Sequence, residues 1–352
     1  MPRKPYAQHP VAAMLKAIEK DNHIKSDVLL CLGDLGDKAD EQGIISAWTF
    51  SEEIRQKLDA KIKIGIPGNH DINSRRLHGK DPFSYIKNFH ESFPTKDLTS
   101  NSNFWSQGYC IHVFEDNLFL LINTVHDHEN EDKANSSSIL PSSIEDIEND
   151  LKDYKDVKNR VCLLHHHPIK HSNISNFKDA DSIEKGDELI NLLNRLEFDI
   201  VIHGHKHQPR ICNQNGLPVF ACGSFSSFAN LQGTGLSTMF HIVELNDIKG
   251  TGNIYSWEYN IKDGWQQNYN KKFPPKIGFG KNLDLKETAS RINEIVKQDN
   301  NPKFYSEIIE NIPELEFLIP EKLIKLGNIL KSKYNLTVRP EFPLQPDIVT
   351  II

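Results

Sequence analysis

The sequence predicts an α/β fold, and three observations carry that prediction. Short apolar runs rich in β-branched residues recur along the first two hundred residues: Val28 to Leu32 (VLLCL), Ile62 to Pro67 (IKIGIP), Val161 to Leu164 (VCLL) and Asp199 to Gly204 (DIVIHG). None alternates with polar residues, which is the pattern of strands covered on both faces. Helical patterns stand before or between these runs, and that alternation of helix and strand is the order of an α/β sheet.

The elements follow in order. Ahead of the first run, HPVAAMLKAIEK places Val11, Met14, Leu15 and Ile18 at helical spacing. SEEIRQKLDAK, from Ser51 to Lys61, supplies a helix between the first two runs, and DELINLLNRLEF, from Asp187 to Phe198, supplies one before the last. Residues 127–150 are acidic and serine-rich and predict an exposed loop running into a helix. Beyond residue 210, LPVFACGSF, STMFHIVELN and GNIYSWEYNI predict antiparallel strands closing the domain. NKKFPPKIGFGKN reads as a linker, because lysine, proline and glycine dominate it. Residues 283–334 are mostly helical in pattern, and an apolar tail spaced by prolines ends the chain. The expected division is therefore a catalytic-type domain over 1–265 and a mainly helical extension over 275–352.

Composition narrows the function. Hydrophobic residues make up 38% and charged residues 25% of the 352, an ordinary globular balance. A net charge of −7 gives no global field for a polyanion, so a dedicated nucleic-acid-binding protein is disfavoured, although a local basic patch is compatible with it. Cys31, Cys110, Cys162, Cys212 and Cys222 are odd in number, scattered and without a CxxC pair. They read as reduced residues in or near the core of a cytoplasmic protein. No apolar stretch follows the basic residues near Met1, and no run approaches the roughly 20 residues that cross a bilayer. No membrane partner is expected.

The chemistry lies just after the strands. The first run is followed by Gly33-Asp34-Leu35-Gly36-Asp37, the second by Gly68-Asn69-His70-Asp71, the third by His165-His166-His167-Pro168, and the fourth contains His203-Gly204 and runs into His205-Lys206-His207. Ligands of open α/β sheets bind beyond the C-terminal ends of the strands. Each cluster alone has a plainer explanation: Gly-Asp after a strand is commonly a turn, and Gly-Asn-His-Asp a capped turn. Four together, each beyond a strand, point to a metal site. Oxygen and imidazole donors without thiolate suit Mn, Fe, Zn or Ni. Two such ions roughly 3.5–4 Å apart clamp an in-line displacement at phosphorus.

The series GDLGDKAD, GNHD, HHHP and GHKH resembles the motif set of the calcineurin-like metallophosphoesterase family, over about residues 10 to 265. The resemblance implies a four-layer sandwich, two mixed β-sheets flanked by helices, with the C-terminal part as a mainly helical extension. It implies a hydrolase of phosphomonoesters or phosphodiesters with two divalent ions, manganese before iron, zinc or nickel. Asp34 would bridge the ions. Asn69, His166 and His205 would complete one site, and His207 would serve the other. His166 is preferred to His165 because it stands two residues before Pro168. His70 resembles the general acid, with Asp71 orienting it, and Asp37 resembles an ordering residue. A metal-bound hydroxide would attack phosphorus while His70 assists the leaving group. Substrates allowed by the motifs include nucleotides, other small phosphoesters and nucleic acid; the oligomeric state is not encoded in them.

The family's opening Asp-x-His has no counterpart here. His9 and His23 are the only histidines before Gly33, and neither follows a strand. The first expectation is a start site assigned too late, and a poorly active 352-residue form. The alternatives are an authentic one-metal variant, or a degenerate, non-catalytic binding or regulatory protein that keeps the fold. Among other features, His126, Asp127 and His128 read as part of a solvated acidic loop. Arg75, Arg76 and His78 are as well suited to a surface role as to phosphate contact. Trp48, Trp105, Trp257 and Trp265 read as packing residues, and Ser224 carries no assigned chemistry.

Overall fold

The computed structural model describes residues 9–351 apart from 75–80, 90–91, 131–132, 134–136, 141, 171–181, 228–235, 268–269 and 299–300. Arg75, Arg76 and His78 therefore lie outside the described residues. The chain order is α1 (Pro10–Lys20), β1 (Val28–Cys31), α2 (Glu41–Lys57), β2 (Ile62–Gly65), α3 (Ser84–Lys87), α4 (Leu98–Gln107), β3 (Tyr109–Phe114), β4 (Asn117–Ile122), α5 (Ser143–Asp150), β5 (Asn159–Leu164), α6 (Gly186–Arg195), β6 (Ile200–His203), β7 (Arg210–Gln214) and β8 (Leu217–Ala221). It continues with β9 (Met239–Leu245), β10 (Gly252–Asn260), β11 (Gly264–Gln266), β12 (Lys276–Phe279), α7 (Leu285–Lys297), β13 (Lys303–Phe304), α8 (Tyr305–Asn311), α9 (Pro320–Tyr334), β14 (Leu336–Arg339) and β15 (Ile348–Ile351).

A six-stranded mixed sheet in the order β3-β4-β5-β6-β8-β7 forms the centre. β4, β5, β6 and β8 run parallel, so the chain leaves β5 and β6 on the same edge. One face of this sheet packs on α5 and α6 through Ile147, Leu189, Ile190 and Leu193. The other meets the parallel pair β1-β2 and the sheet of β9 to β12 through Leu121, Leu163, Ile202, Phe220, Ile64 and Ile254. Behind those strands, α1 and α2 bury Val11, Met14, Ile18 and Ile54 against Trp257, Tyr259 and Trp265. The result is the expected four layers. Prolines and caps set the helix starts: Pro10 opens α1, where the His9 imidazole accepts from the Val11 amide, and Asp284 caps α7 by accepting from Lys286 and Glu287.

Several expectations change in detail. β1 is half-buried along its length rather than covered on both faces, and it pairs with β2 and no other strand among the described residues. β8 runs antiparallel to β7 but parallel to β6, so only part of the region after residue 210 is an antiparallel closure. The stretch read as a linker contains β12, whose Ile277 and Phe279 are buried and which pairs with β10. Its lysines and prolines conceal a strand whose burial depends on a distant neighbour. The extension is not helical alone: β13, β14 and β15 form a three-stranded sheet against α7, α8 and α9, around Ile292, Ile308, Leu326, Leu330 and Val349. No helix among the described residues is long and apolar enough to cross a membrane.

Candidate metal centre

The topology brings four strand ends to one place. After β1 the chain turns through Gly33 and Asp34, both at positive φ (88° and 54°), which aims the Asp34 carboxylate at the loop following β2. There Asn69–Asp71 form a 3-10 turn, and the His70 amide donates to Asp34 Oδ1 at 3.0 Å. β5 ends in His165, His166 and His167, all buried. β6 ends at His203, and His205 and His207 follow at positive φ of 82° and 61°. Non-glycine residues held in that region mark a backbone over-determined by its surroundings.

His165, His166 and His205 offer ring nitrogens all within 4.8 Å of one another. His165 Nδ1 lies 2.7 Å from the Leu32 carbonyl, which fixes Nδ1 as the donor. Its Nε2 is then the ligating atom, and it stands 3.4 Å from Asp34 Oδ1 and 3.3 Å from Asn69 Oδ1. His166 Nδ1 lies 2.9 Å from the Thr124 hydroxyl, beyond the end of β4, which leaves Nε2 for a metal. Holding one imidazole nitrogen so that the other can ligate is how metal sites orient histidine.

Electrostatics match this donor set. Burial would raise the Asp34 carboxyl, but the His165 imidazole, His70 and the His70 amide hold it well below the carboxylate range. Burial opposes charge on His165, yet Asp34 beside it carries its pKa upward. Burial and then His165 push His205 down to about 3, and burial with His165 and His205 pushes His166 far down. The cluster thus gathers one carboxylate with His166 and His205 held neutral, the forms that bind divalent ions, while Asp34 favours the charged form of His165. A cation fits beside the Asp34 carboxylate, which otherwise draws positive charge onto His165. The donor chemistry fits one or more divalent transition metals.

Of the residues that the sequence reading names, His166 and His205 cluster with His165, and His165, passed over on its distance from Pro168, is the histidine next to Asp34 and Asn69. Its signal was its place directly after β5. His207 acts on His205 electrostatically and is not one of the three clustered histidines. The expected pairing of Asp71 with His70 does not form. Asp71 is buried and accepts from the Gly68 amide at 2.8 Å and the Gly36 amide at 3.0 Å, stapling two strand-end loops together. Burial and then Asp34 push its carboxyl up to about 7. His70 Nδ1 instead stands 3.0 Å from Asp37 Oδ1, on the exposed side of the site. The longer approach of the Lys38 amide to the same nitrogen, 3.4 Å, requires the opposite tautomer, and the shorter carboxylate contact decides for Nδ1–H.

Two further groups were hidden from the sequence reading. His128, assigned to a solvated loop, is fully buried with its ring 5.7 Å from that of His166. Thr124 carries no motif, and only its place after the strand LFLLI marked it. Beside the centre, His167 and His203 face one another, Nδ1 to Nδ1, at 3.1 Å. The four tryptophans pack as expected, and all five cysteines are free.

Residues 7–209, more than half of the chain, match the family model described as calcineurin-like phosphoesterase, and residues 277–332 match a second, described as wHTH-Calcineurin_assc. No curated protein matches the chain. Among solved structures it is similar to the purple acid phosphatase PPD1 from yellow lupin (Lupinus luteus) seeds, at 17% identity and a TM-score of 0.46, over 72% of this chain and 48% of that one. It is also similar to a single mutant of Vps29 from Entamoeba histolytica, at 13% identity and a TM-score of 0.35, over 79% of this chain and 94% of that one. The chain spans about half the length of the lupin phosphatase.

Proposed function

This chain belongs to the calcineurin-like phosphoesterase family, and from that premise we propose that it hydrolyses a phosphoric ester at a divalent-metal centre held by Asp34, Asn69, His165, His166 and His205, with His207 at its flank. The single observation that carries the reading is the gathering of three imidazoles within 4.8 Å beside the Asp34 carboxylate and the Asn69 amide. Manganese is the first candidate and iron, zinc or nickel the others, because the donors are oxygen and imidazole without thiolate. Asp34, Asn69 and the three histidines would hold two such ions. Bound divalent metal supplies Lewis acidity, which makes water nucleophilic at neutral pH and neutralises charge at phosphorus.

The protein's own residues do the rest. Asp34 and Asn69 present oxygen to the site while the Leu32 carbonyl and the Thr124 hydroxyl hold His165 and His166 in ligating orientation. His70 lies on the open side with Nδ1–H held by Asp37, so that when the ring carries a second proton on Nε2, that proton can pass to the departing oxygen and leave the neutral Nδ1–H ring. Asp71 keeps the His70 turn against the Asp34 turn through the Gly36 and Gly68 amides. The substrate is a phosphomonoester or phosphodiester met from solution.

The test is metal analysis of the purified full chain with hydrolysis of p-nitrophenyl phosphate and bis(p-nitrophenyl) phosphate, against Asp34→Ala. Metal-dependent turnover that disappears in Asp34→Ala is the expected result. Equal turnover by both proteins overturns the assignment.

A further inference from the structure

The loop after β1 holds a strained turn. The Asp40 amide donates to the Asp37 carbonyl at 3.1 Å, which closes four residues, and the two at the centre, Lys38 and Ala39, both have positive φ, 52° and 56°. Asn-Gly is the usual pair for such a backbone, because a Cβ costs free energy in the left-handed region. Here that cost falls on two residues in succession. Strain of this kind persists only where the surroundings over-determine it.

His70 on one side and α2 on the other over-determine the turn. The Ala39 amide donates to the His70 carbonyl at 2.7 Å, and Asp37 Oδ1 stands 3.0 Å from His70 Nδ1. The turn thus grips both the backbone and the ring of one residue. Behind it, Asp40 stands at the N-cap of α2, and a Cβ on Gly36 would lie 2.5 Å from Ile44 Cγ1 of that helix. α2 is fastened to β2, the strand that leads to His70: the buried Lys63 ammonium donates to the Trp48 carbonyl at 3.0 Å and pairs with Glu52 at 3.3 Å. The turn and the His70 loop therefore sit on two elements tied to one another.

Exposure shows why a turn is needed. The side chains of His70 and Asp37 are 41% and 76% exposed, and an ion pair that open to water contributes little by itself. Two mobile side chains would not fix the ring. A turn that delivers Asp37 already in place removes the ordering cost and leaves Nε2 as the nitrogen available to a substrate.

We propose that the Lys38–Ala39 turn is the positioning element of His70, and that, on the phosphoesterase reading above, the substrate it serves is a phosphoric ester of an aliphatic alcohol. Water forms the new bond to phosphorus and releases a proton to solvent. The bond to the alcohol breaks with its electron pair on the departing oxygen. That oxygen takes the Nε2 proton of the doubly protonated ring, which is left in the neutral Nδ1–H form. An alkoxide needs that proton to depart, whereas p-nitrophenolate leaves without it, so a positioned acid speeds the first and not the second.

The experiment uses the full chain with Mn2+ and two graded series, phosphomonoesters and phosphodiesters whose leaving groups run from p-nitrophenol through phenol to ethanol. Lys38→Val, Ala39→Val opposes the turn, because β-branched residues are outliers at positive φ, and Lys38→Asn, Ala39→Gly keeps it. Two further readouts are Mn2+ affinity by calorimetry and the tautomer of His70 by nitrogen NMR of histidine-labelled protein, with His70→Asn identifying the signal. Expected in the valine variant is ethyl-ester hydrolysis slower by about ten- to a hundredfold, with p-nitrophenyl-ester hydrolysis and Mn2+ affinity as in the native chain. The neutral ring should shift from Nδ1–H to Nε2–H. The Asn-Gly variant keeps the native profile, and adding Asp37→Asn to the valine variant slows the ethyl ester no further. A native ethyl-ester rate or a native tautomer in the valine variant overturns the proposal and leaves the phosphoesterase reading standing. So does an equal loss on both leaving groups, or a fall in Mn2+ affinity, which would make the turn a support of the centre rather than of His70. An Asn-Gly variant as slow as the valine variant also overturns it. If the double valine variant does not fold, Ala39→Val alone carries the same comparison. A native chain that hydrolyses p-nitrophenyl but not ethyl esters removes the substrate assignment. No hydrolysis of any ester, with the tautomer shift intact, sinks the phosphoesterase reading and keeps the turn as the element that orients His70.

Discussion

Asp34 and His165 form a buried pair, Oδ1 to Nε2 at 3.4 Å, that joins the end of β1 to the end of β5. Each shifts the other toward its charged form against the pull of burial. His165→Ala removes the nitrogen nearest to both Asp34 and Asn69. Its affinity for Mn2+ by calorimetry is expected to fall by more than about a hundredfold, beyond the range typical of a partner outside the ligand set. Native affinity in this variant would remove His165 from the centre.

Thr124 acts one step further out. Its hydroxyl is 2.9 Å from His166 Nδ1, and its oxygen also receives the His166 amide at 3.4 Å. Thr124→Val keeps shape and loses the hydroxyl. Metal affinity is expected to drop about tenfold, with the far-ultraviolet spectrum of the native chain. An unchanged dissociation constant would show that packing alone orients His166.

His70 and Asp71 are neighbours in sequence with separate tasks. His70→Asn is expected to slow an ester with a poor leaving group by about 100- to 10,000-fold while sparing p-nitrophenyl esters. Asp37→Asn should show the same leaving-group dependence more weakly, because its carboxylate holds Nδ1. Asp71→Asn replaces one of two acceptors for amides by a donor, so denaturant unfolding should show a loss of about 1–3 kcal/mol. A leaving-group effect in Asp71→Asn of the size seen in His70→Asn would restore the pairing that the sequence suggested.

Gly68 sets how closely two strand-end loops approach. A Cβ there would collide with Asp34 Oδ1 and the Asp34 amide nitrogen. The amide nitrogen is backbone, and the carboxylate is held by the His70 amide and by His165, so Gly68→Ala must shift the carboxylate. A displacement near 1 Å costs about a hundredfold in rate. Turnover of bis(p-nitrophenyl) phosphate by Gly68→Ala near the native rate would mean that the loops can part without harm.

What was legible in the sequence was whatever a short segment decides by itself. Each strand end announced its polar cluster, so Asp34, Asn69, His205 and the histidine triplet could be found. Which of three adjacent histidines faces Asp34 could not, because that depends on the twist of β5 and on the Leu32 carbonyl, 133 residues away in sequence. His128 looked solvated because its neighbours are acidic, yet its side chain turns inward beside His166. β12 was concealed for the same reason: its strand character comes from β10, not from its own lysines and prolines. The extension's three small strands were missed because two to four residues carry too little periodicity to declare a strand.

His241 gives a pH dependence independent of the metal. The residue is only partly buried, but the ring is what titrates, and it lies edge-on to Phe220 and Phe273. Both nitrogens are bonded in the neutral form: Nε2 accepts from the Gly223 amide at 3.2 Å, and Nδ1 donates to the Ser256 hydroxyl at 2.8 Å. Burial pushes its pKa from 6.5 down to about 3. Between those values the unfolded chain binds a proton that the folded chain refuses, so stability falls as the pH falls. The slope reaches about 1.4 kcal/mol per pH unit. His241→Phe removes the titrating group and leaves the Gly223 amide and the Ser256 hydroxyl without it, at about 1–3 kcal/mol near pH 7. Urea unfolding at pH 7, 6 and 5 should therefore show a variant less stable than the native chain at pH 7 but with a shallower decline toward pH 5. Parallel declines in the two proteins would mean that the acid sensitivity lies elsewhere, and that His241 accepts its proton without loss of the fold.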